Sequence, residues 1–125
     1  METSRTTLPV PQIVKATPVP TAEERTWALG AHLGTIVIYF LAPLIVMLTK
    51  GKESEFVRAH AVESLNFQLT LIIALCVAAM LSIVGIGLVL LPLIAIAALV
   101  LIVMASIRAY QGATFRYPVN IRFIS

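Results

Sequence analysis

Long apolar runs alternate with short polar ones along this chain. After Arg25 no Asp, Glu, Lys or Arg occurs until Lys50, and after Glu63 none occurs until Arg108. The first uncharged run holds 24 residues. As a helix it would extend about 36 Å, against a hydrocarbon core of about 30 Å. We read residues 26–48 as a transmembrane helix, kinked at Pro43 where a backbone donor is lost. The second run holds 44 residues, too long for one crossing and suited to two. Gly85-Ile86-Gly87 weakens helix at its middle, which predicts spans over 65–84 and 88–108 joined by a tight turn. A re-entrant hairpin that does not fully cross is the alternative for this pair.

The polar stretches supply boundaries. Thr21-Ala22-Glu23-Glu24 has the form of a capping box, so order begins there. Ser54 is placed to cap a second helix, with Glu55 in its first turn. Phe56, His60, Glu63 and Phe67 then share one face, which predicts an interfacial helix leading into the second span. Beyond Gly112, the apolar Phe115, Tyr117, Val119, Ile121 and Phe123 alternate with Arg116, Pro118, Asn120 and Arg122. Period two predicts an extended tail, and Pro118 confines it to an edge or a free position. Residues 1–20 hold four of the seven prolines; they are expected to be a disordered leader, and without an apolar core they are not a secretory signal. The expected fold is therefore all-α and integral to a membrane. It comprises three transmembrane helices, an interfacial helix entering the second, and an extended C-terminal tail. The division is a tail over 1–20 and a helical membrane domain over 21–125.

Composition sharpens this picture chiefly by exclusion. The chain is 59% hydrophobic and 12% charged, against about 45–50% and about 25% in soluble domains; mean hydropathy is +0.97. A small soluble enzyme would lack the polar surface to stay in water. Cys76 is the single cysteine, so no intrachain disulfide or multi-cysteine metal site can form. The net charge of +3 is spread over three polar zones. It reads as membrane orientation rather than phosphate binding, so the lipid bilayer and not nucleic acid is the expected partner. Three spans would place the N-terminal tail and the Gly85–Gly87 turn on one side. The loop 49–60 and the C-terminus would lie on the other. Counting Arg5, Lys15 and Arg25 against Lys50, Lys52, Arg58, Arg108, Arg116 and Arg122 makes the second side cytoplasmic at a plasma membrane.

Few residues carry chemistry. His32 lies within the first span, where an ionisable side chain is a functional candidate by default; the plainer reading is a neutral imidazole bonded to a neighbouring helix. His60 and Glu63 are three apart and meet on one helix face, as a structural pair rather than a metal site. Asn66 and Gln68, where the second helix enters the bilayer, suit hydrogen bonds between helices. Gly30 and Gly34 form a GxxxG that lets helices approach. Trp27, Tyr110, Phe115 and Tyr117 fit interfacial belts. No phosphate loop, nucleophile elbow, zinc-protease motif or paired-carboxylate constellation is present. The chain is read as a non-enzyme without cofactor or metal.

Three stretches are distinctive together: residues 24–33, with Trp27 and His32; Phe56 to Gln68, containing His60, Glu63, Asn66 and Phe67; and Phe115 to Ile124, containing Arg116, Tyr117 and Arg122. Through them residues 22–124 resemble a widespread bacterial and archaeal family of small membrane proteins of unassigned function. That family is distantly similar to the channel subunit of the chloroplast inner-envelope (Tic) import complex. Val62 stands where that pattern carries a basic residue. The resemblance implies a helical membrane domain with polar motifs at the membrane faces. The leading expectation is a subunit or scaffold of a membrane complex, as a homo-oligomer or with other membrane subunits. In it Glu63 and His60 face Arg116 or Arg122. A pore or transporter component lined by His32, Asn66 and Gln68 is the alternative, and an intramembrane enzyme using His32, His60 and Glu63 is the third reading.

Overall fold

The computed structural model describes residues 19–125; the leader expected over 1–20 lies, but for its last two residues, outside them. The described residues are helical, with no strand among them. Five α-helices follow one another: α1 (Ala22–Leu33), α2 (Thr35–Ile38), α3 (Leu41–Leu48), α4 (Glu55–Leu81) and α5 (Ile86–Tyr110). Short 3-10 turns occupy Lys50–Lys52 and Ser82–Val84. Two helices, Glu55–Val84 with its 3-10 extension and Ile86–Tyr110, are long and apolar enough to cross a membrane.

The predicted helix boundaries rest on the caps that the residues supply. The Thr21 hydroxyl accepts from Glu24 N at 3.1 Å while the Glu24 carboxylate accepts from Thr21 N at 2.8 Å, a reciprocal capping box. Ser54 accepts from Val57 N at 3.2 Å and starts α4. The expected interfacial helix and second span are thus one continuous helix. The turn to α5 closes at Gly85, whose φ of 89° suits glycine. Gly87 belongs to α5 rather than to the turn. A Cβ there would fall on the Ala78 carbonyl and on Ser82, so α4 and α5 touch closely where they leave the hairpin.

The first span differs from expectation. Residues 26–48 are not one helix. The helix stops at Gly34, resumes over four residues, and reverses at Tyr39–Phe40, where Tyr39 has φ 55°. The cause is Pro43. It lacks the N–H that would bond to residue 39, and its ring clashes with the carbonyl four residues back; that residue is Tyr39. A proline expected only to kink a crossing helix therefore ends it. It then sits in the first turn of α3, where proline is tolerated. The returning helix packs on the outgoing one: a Cβ on Gly34 would stand 2.8 Å from that of Ala42. Gly30, the other half of the GxxxG, has open space in front of it.

The reversal also changes which segments share an end of the molecule. With 26–48 folded back, the start of α1 lies beside the loop that follows α3. Lys50 Nζ is 3.4 Å from a Glu23 carboxylate oxygen and lies over the Trp27 ring at 5.7 Å. A Cβ on Gly112 would be near Arg25 and Pro20. The chain around Val19, the loop at 49–54 and the start of the C-terminal segment therefore occupy one end of the molecule, and the Ser82–Gly85 turn the other. Burial follows this polarity. Within α4 most residues from His60 to Thr70 are buried, whereas beyond Thr70 Ala78 is the single buried residue. The polar half is a packed bundle and the other half a bare helical hairpin.

Candidate functional site

One face of α4 carries a ladder of polar side chains, and the extended segment 113–125 lies on it. His60, Glu63, Asn66, Phe67 and Thr70 recur at intervals of three or four and so line one face. Each rung binds the C-terminal segment. The buried Glu63 carboxylate accepts from Tyr117 N at 2.6 Å and Asn120 Nδ2 at 2.8 Å on one oxygen, and from Arg122 Nη1 at 2.5 Å on the other. Asn66 acts as a surrogate strand. Its Oδ1 accepts from Phe123 N at 3.0 Å and Ile124 N at 2.8 Å, and its Nδ2 donates to Ile124 O at 2.8 Å. The Thr70 hydroxyl accepts from Ile121 N at 2.9 Å and donates to Asn66 O. Phe67 stacks on Tyr117 with centroids 4.0 Å apart and planes 9° from parallel. Arg58 donates to Ser125 O at 2.9 Å. An isolated extended segment has no ladder partner of its own; here side chains of a helix substitute for a neighbouring strand.

A second set of bonds ties this ladder to α1. His32 Nδ1 is 2.8 Å from the Tyr117 hydroxyl, His32 Nε2 is 2.9 Å from His60 Nδ1, and His60 Nε2 is 2.8 Å from Ala113 O. A carbonyl can only accept, and with both rings neutral this fixes every proton in the series. His60 donates through Nε2 to Ala113, so its Nδ1 is bare and accepts. His32 must then donate through Nε2, its Nδ1 is bare, and the Tyr117 hydroxyl donates to it. Both imidazoles are neutral Nε2–H tautomers. Ser64 donates to Ala31 O at 2.7 Å and adds a further tie between α4 and α1.

The residues singled out from the sequence are thus distributed unevenly. His32, His60, Glu63, Asn66, Tyr117 and Arg122 meet in one network. Tyr117 is 3% exposed, a buried anchor rather than a member of an interfacial belt. Arg116 is exposed and is not a partner of Glu63; Arg122 alone is. Asn66 bonds the C-terminal segment rather than another helix. Gln68 is buried, and its Nε2 has no hydrogen-bond partner. Thr70 and Asn120 were not singled out, although Thr70 continues the spacing of His60, Glu63 and Phe67. An open groove of about 660 Å³, lined by Glu24, Glu53, Glu55, Phe56, His60 and Phe115 among others, faces the polar end. Among the described residues no cluster of His, Cys, Asp and Glu is arranged to hold a metal ion.

Two long apolar helices joined by a short turn, with the ionisable groups gathered at the opposite end, define a small helical membrane protein. The chain belongs to the magnetosome magnetite crystal formation protein family (MamF/MmsF), whose model matches residues 23–124. No curated protein and no solved structure matches it. Nothing in these comparisons connects it with the chloroplast import channel.

Proposed function

We propose that this protein is a non-catalytic structural component of a magnetosome-type membrane, contributing to magnetite crystal formation as its family name describes. One observation carries the non-catalytic reading. The groups that could perform chemistry are consumed in binding the chain to itself. Each nitrogen of His32 and His60, each oxygen of Glu63 and the Asn66 amide is occupied by an internal partner. A general base or nucleophile needs a free atom within reach of substrate, and here that atom is already bonded. What the network supports instead is rigidity: a locked polar end from which two apolar helices project.

In this reading the protein works through its surface and its lipid bilayer, as a homo-oligomer or with other membrane subunits. The import-channel alternative would need His32, Asn66 and Gln68 to line a path, and all three are buried within the chain's own fold. The test is complementation in a magnetite-forming host lacking its own copy, with crystal dimensions read by electron microscopy. The parent gene is expected to restore crystal size, and Glu63→Gln to restore it less. Restoration by the parent without any effect of His32→Phe or Glu63→Gln would remove the locked polar end from the mechanism. Identical crystals with and without the gene would refute a role in crystal formation.

A further inference from the structure

We infer that only α4 and α5 cross the bilayer, and that the α1–α3 hairpin and the C-terminal segment both dip into a single leaflet, presenting their exposed apolar side chains to its acyl chains. The inference rests on the membrane reading above and goes beyond it.

Depth follows from the helical rise. Phe67 clusters with Ala98, Ile102 and Ala105, so α4 and α5 run side by side from the Ser82–Gly85 turn. A core of about 30 Å measured from that turn along α4, at about 1.5 Å per residue, ends near residue 62. Glu63 then sits at the boundary, Asn66 just inside it and Thr70 roughly midway through the bilayer. The C-terminal segment reaches Thr70 at Ile121 and returns to Asn66 at Phe123 and Ile124 and to Arg58 at Ser125. It therefore enters and leaves by the same face. The hairpin does likewise. Ala31 is level with Ser64, and the reversal at Tyr39 is eight residues further on, about 12 Å at helical rise. With Ser64 about 3 Å inside the boundary, the tip lies about 15 Å deep, the thickness of one leaflet.

Three independent features agree with this placement. Extended backbone inside a bilayer must have its amides satisfied by protein, since no water is there to do so; Glu63, Asn66 and Thr70 satisfy Tyr117, Ile121, Phe123 and Ile124. Both dipping elements expose apolar side chains, Val37 at 76%, Val119 at 65% and Ile121 at 50%, while the exposed Arg116 and Arg122 of the C-terminal segment belong to the charged end. Finally, among the described residues every Lys and Arg lies at the end from which both elements enter. The opposite turn, Ser82–Gly85, carries no charge and exposes Ile83 and Val84. The positive-inside rule then makes the charged end cytoplasmic.

The test uses the full chain with Cys76 replaced by Ala, expressed in cells and in inverted vesicles, with single cysteines labelled by a membrane-impermeant maleimide. Val19→Cys and Lys52→Cys are expected to react from the same side as Arg116→Cys. Ile83→Cys should react from the other side only, and Tyr39→Cys and Val119→Cys from neither. Epitope tags on the two ends of the otherwise unchanged chain give the same readout without any internal substitution, and both tags should be protected together. Val19→Cys and Lys52→Cys reacting from opposite sides, or the two tags on opposite sides, would show that residues 26–48 cross and would overturn the proposal. Labelling of Tyr39→Cys from the far side would do the same. Protection of Tyr39→Cys that is lost on dilution in detergent would show a second copy, not lipid, covering the hairpin tip, and would also overturn it. Extraction of the protein by alkaline carbonate would instead refute the membrane reading itself.

Discussion

Glu63→Gln is the sharpest single perturbation of the polar ladder. The carboxylate gathers three donors, Tyr117 N, Asn120 Nδ2 and Arg122 Nη1, in a site where it is itself buried. Glutamine keeps one acceptor oxygen and turns an NH2 towards one set of donors. If its oxygen keeps Tyr117 and Asn120, Arg122 loses its partner. Its side chain is 38% exposed, so it can swing into water, and the lost bond to a charged group costs about 1.5–3 kcal/mol. The two retained bonds fall from charged to neutral strength, about 1 kcal/mol each. The sum is about 3.5–5 kcal/mol. Arg122→Gln removes only the half-exposed partner and leaves Glu63 with two donors, so about 1–2 kcal/mol is expected. Arg116→Gln should change stability by less than about 0.5 kcal/mol. The assay is hydrogen exchange in micelles at the Tyr117, Ile121, Phe123 and Ile124 amides. Exchange should accelerate about 100-fold or more in Glu63→Gln, about tenfold in Arg122→Gln and not at all in Arg116→Gln, at tenfold per 1.4 kcal/mol. Equal protection in Glu63→Gln and the parent, or an Arg116→Gln effect as large as that of Glu63→Gln, would refute the reasoning.

Nitrogen-15 NMR of labelled histidine should show both rings as neutral Nε2–H tautomers, with the Nδ1–H form absent; an Nδ1–H signal would contradict the proton order from Tyr117 to Ala113. Gly87→Ala should destabilise by about 1–3 kcal/mol through overpacking against Ala78 and Ser82, whereas Gly30→Ala, with open space before it, should stabilise by up to about 1 kcal/mol through helix propensity; thermal unfolding in detergent separates the two. At the exposed polar end, the Ser54 hydroxyl and Thr21 hold Glu24 below its ordinary value. Its contribution is present above the unfolded carboxylate pKa and is lost as pH falls through the lower folded one. Bonding and charge attraction from Glu23 raise Lys50, so that contribution is complete below the unfolded lysine pKa and lost as pH rises through the higher folded one. Pairing of Lys50 with Glu23, followed by lysine side-chain NMR, should therefore survive at neutral pH and disappear only in strong alkali; loss near neutrality would count against it.

Much of the architecture was legible along the chain because it depends on neighbours in sequence. The capping box at Thr21, the cap at Ser54, the turn at Gly85 and the apolar length of α4 and α5 are local properties. The alternation over 115–123 is local too, but it did not show that the chain bends at Pro118–Val119 and turns back after Ile121. Membership of a membrane class followed from composition alone, since buried and lipid-facing side chains are both apolar. Pairings between distant residues were not legible in this way. Whether residues 26–48 cross or fold back turns on what the segment packs against once Pro43 has broken its helix, and hydropathy is the same in either case. The partner of Glu63 could not be chosen between Arg116 and Arg122, because alternation places them three turns of an extended chain apart without saying which faces the helix. Asn66 looked like a bond between helices because amides in membrane helices are common there; only the tertiary structure brings Phe123 and Ile124 to it. The residues thus determined where helices begin, end and become apolar. The packing decided which end each segment shares, because hydrogen bonds between residues more than fifty positions apart leave no periodic trace in the chain.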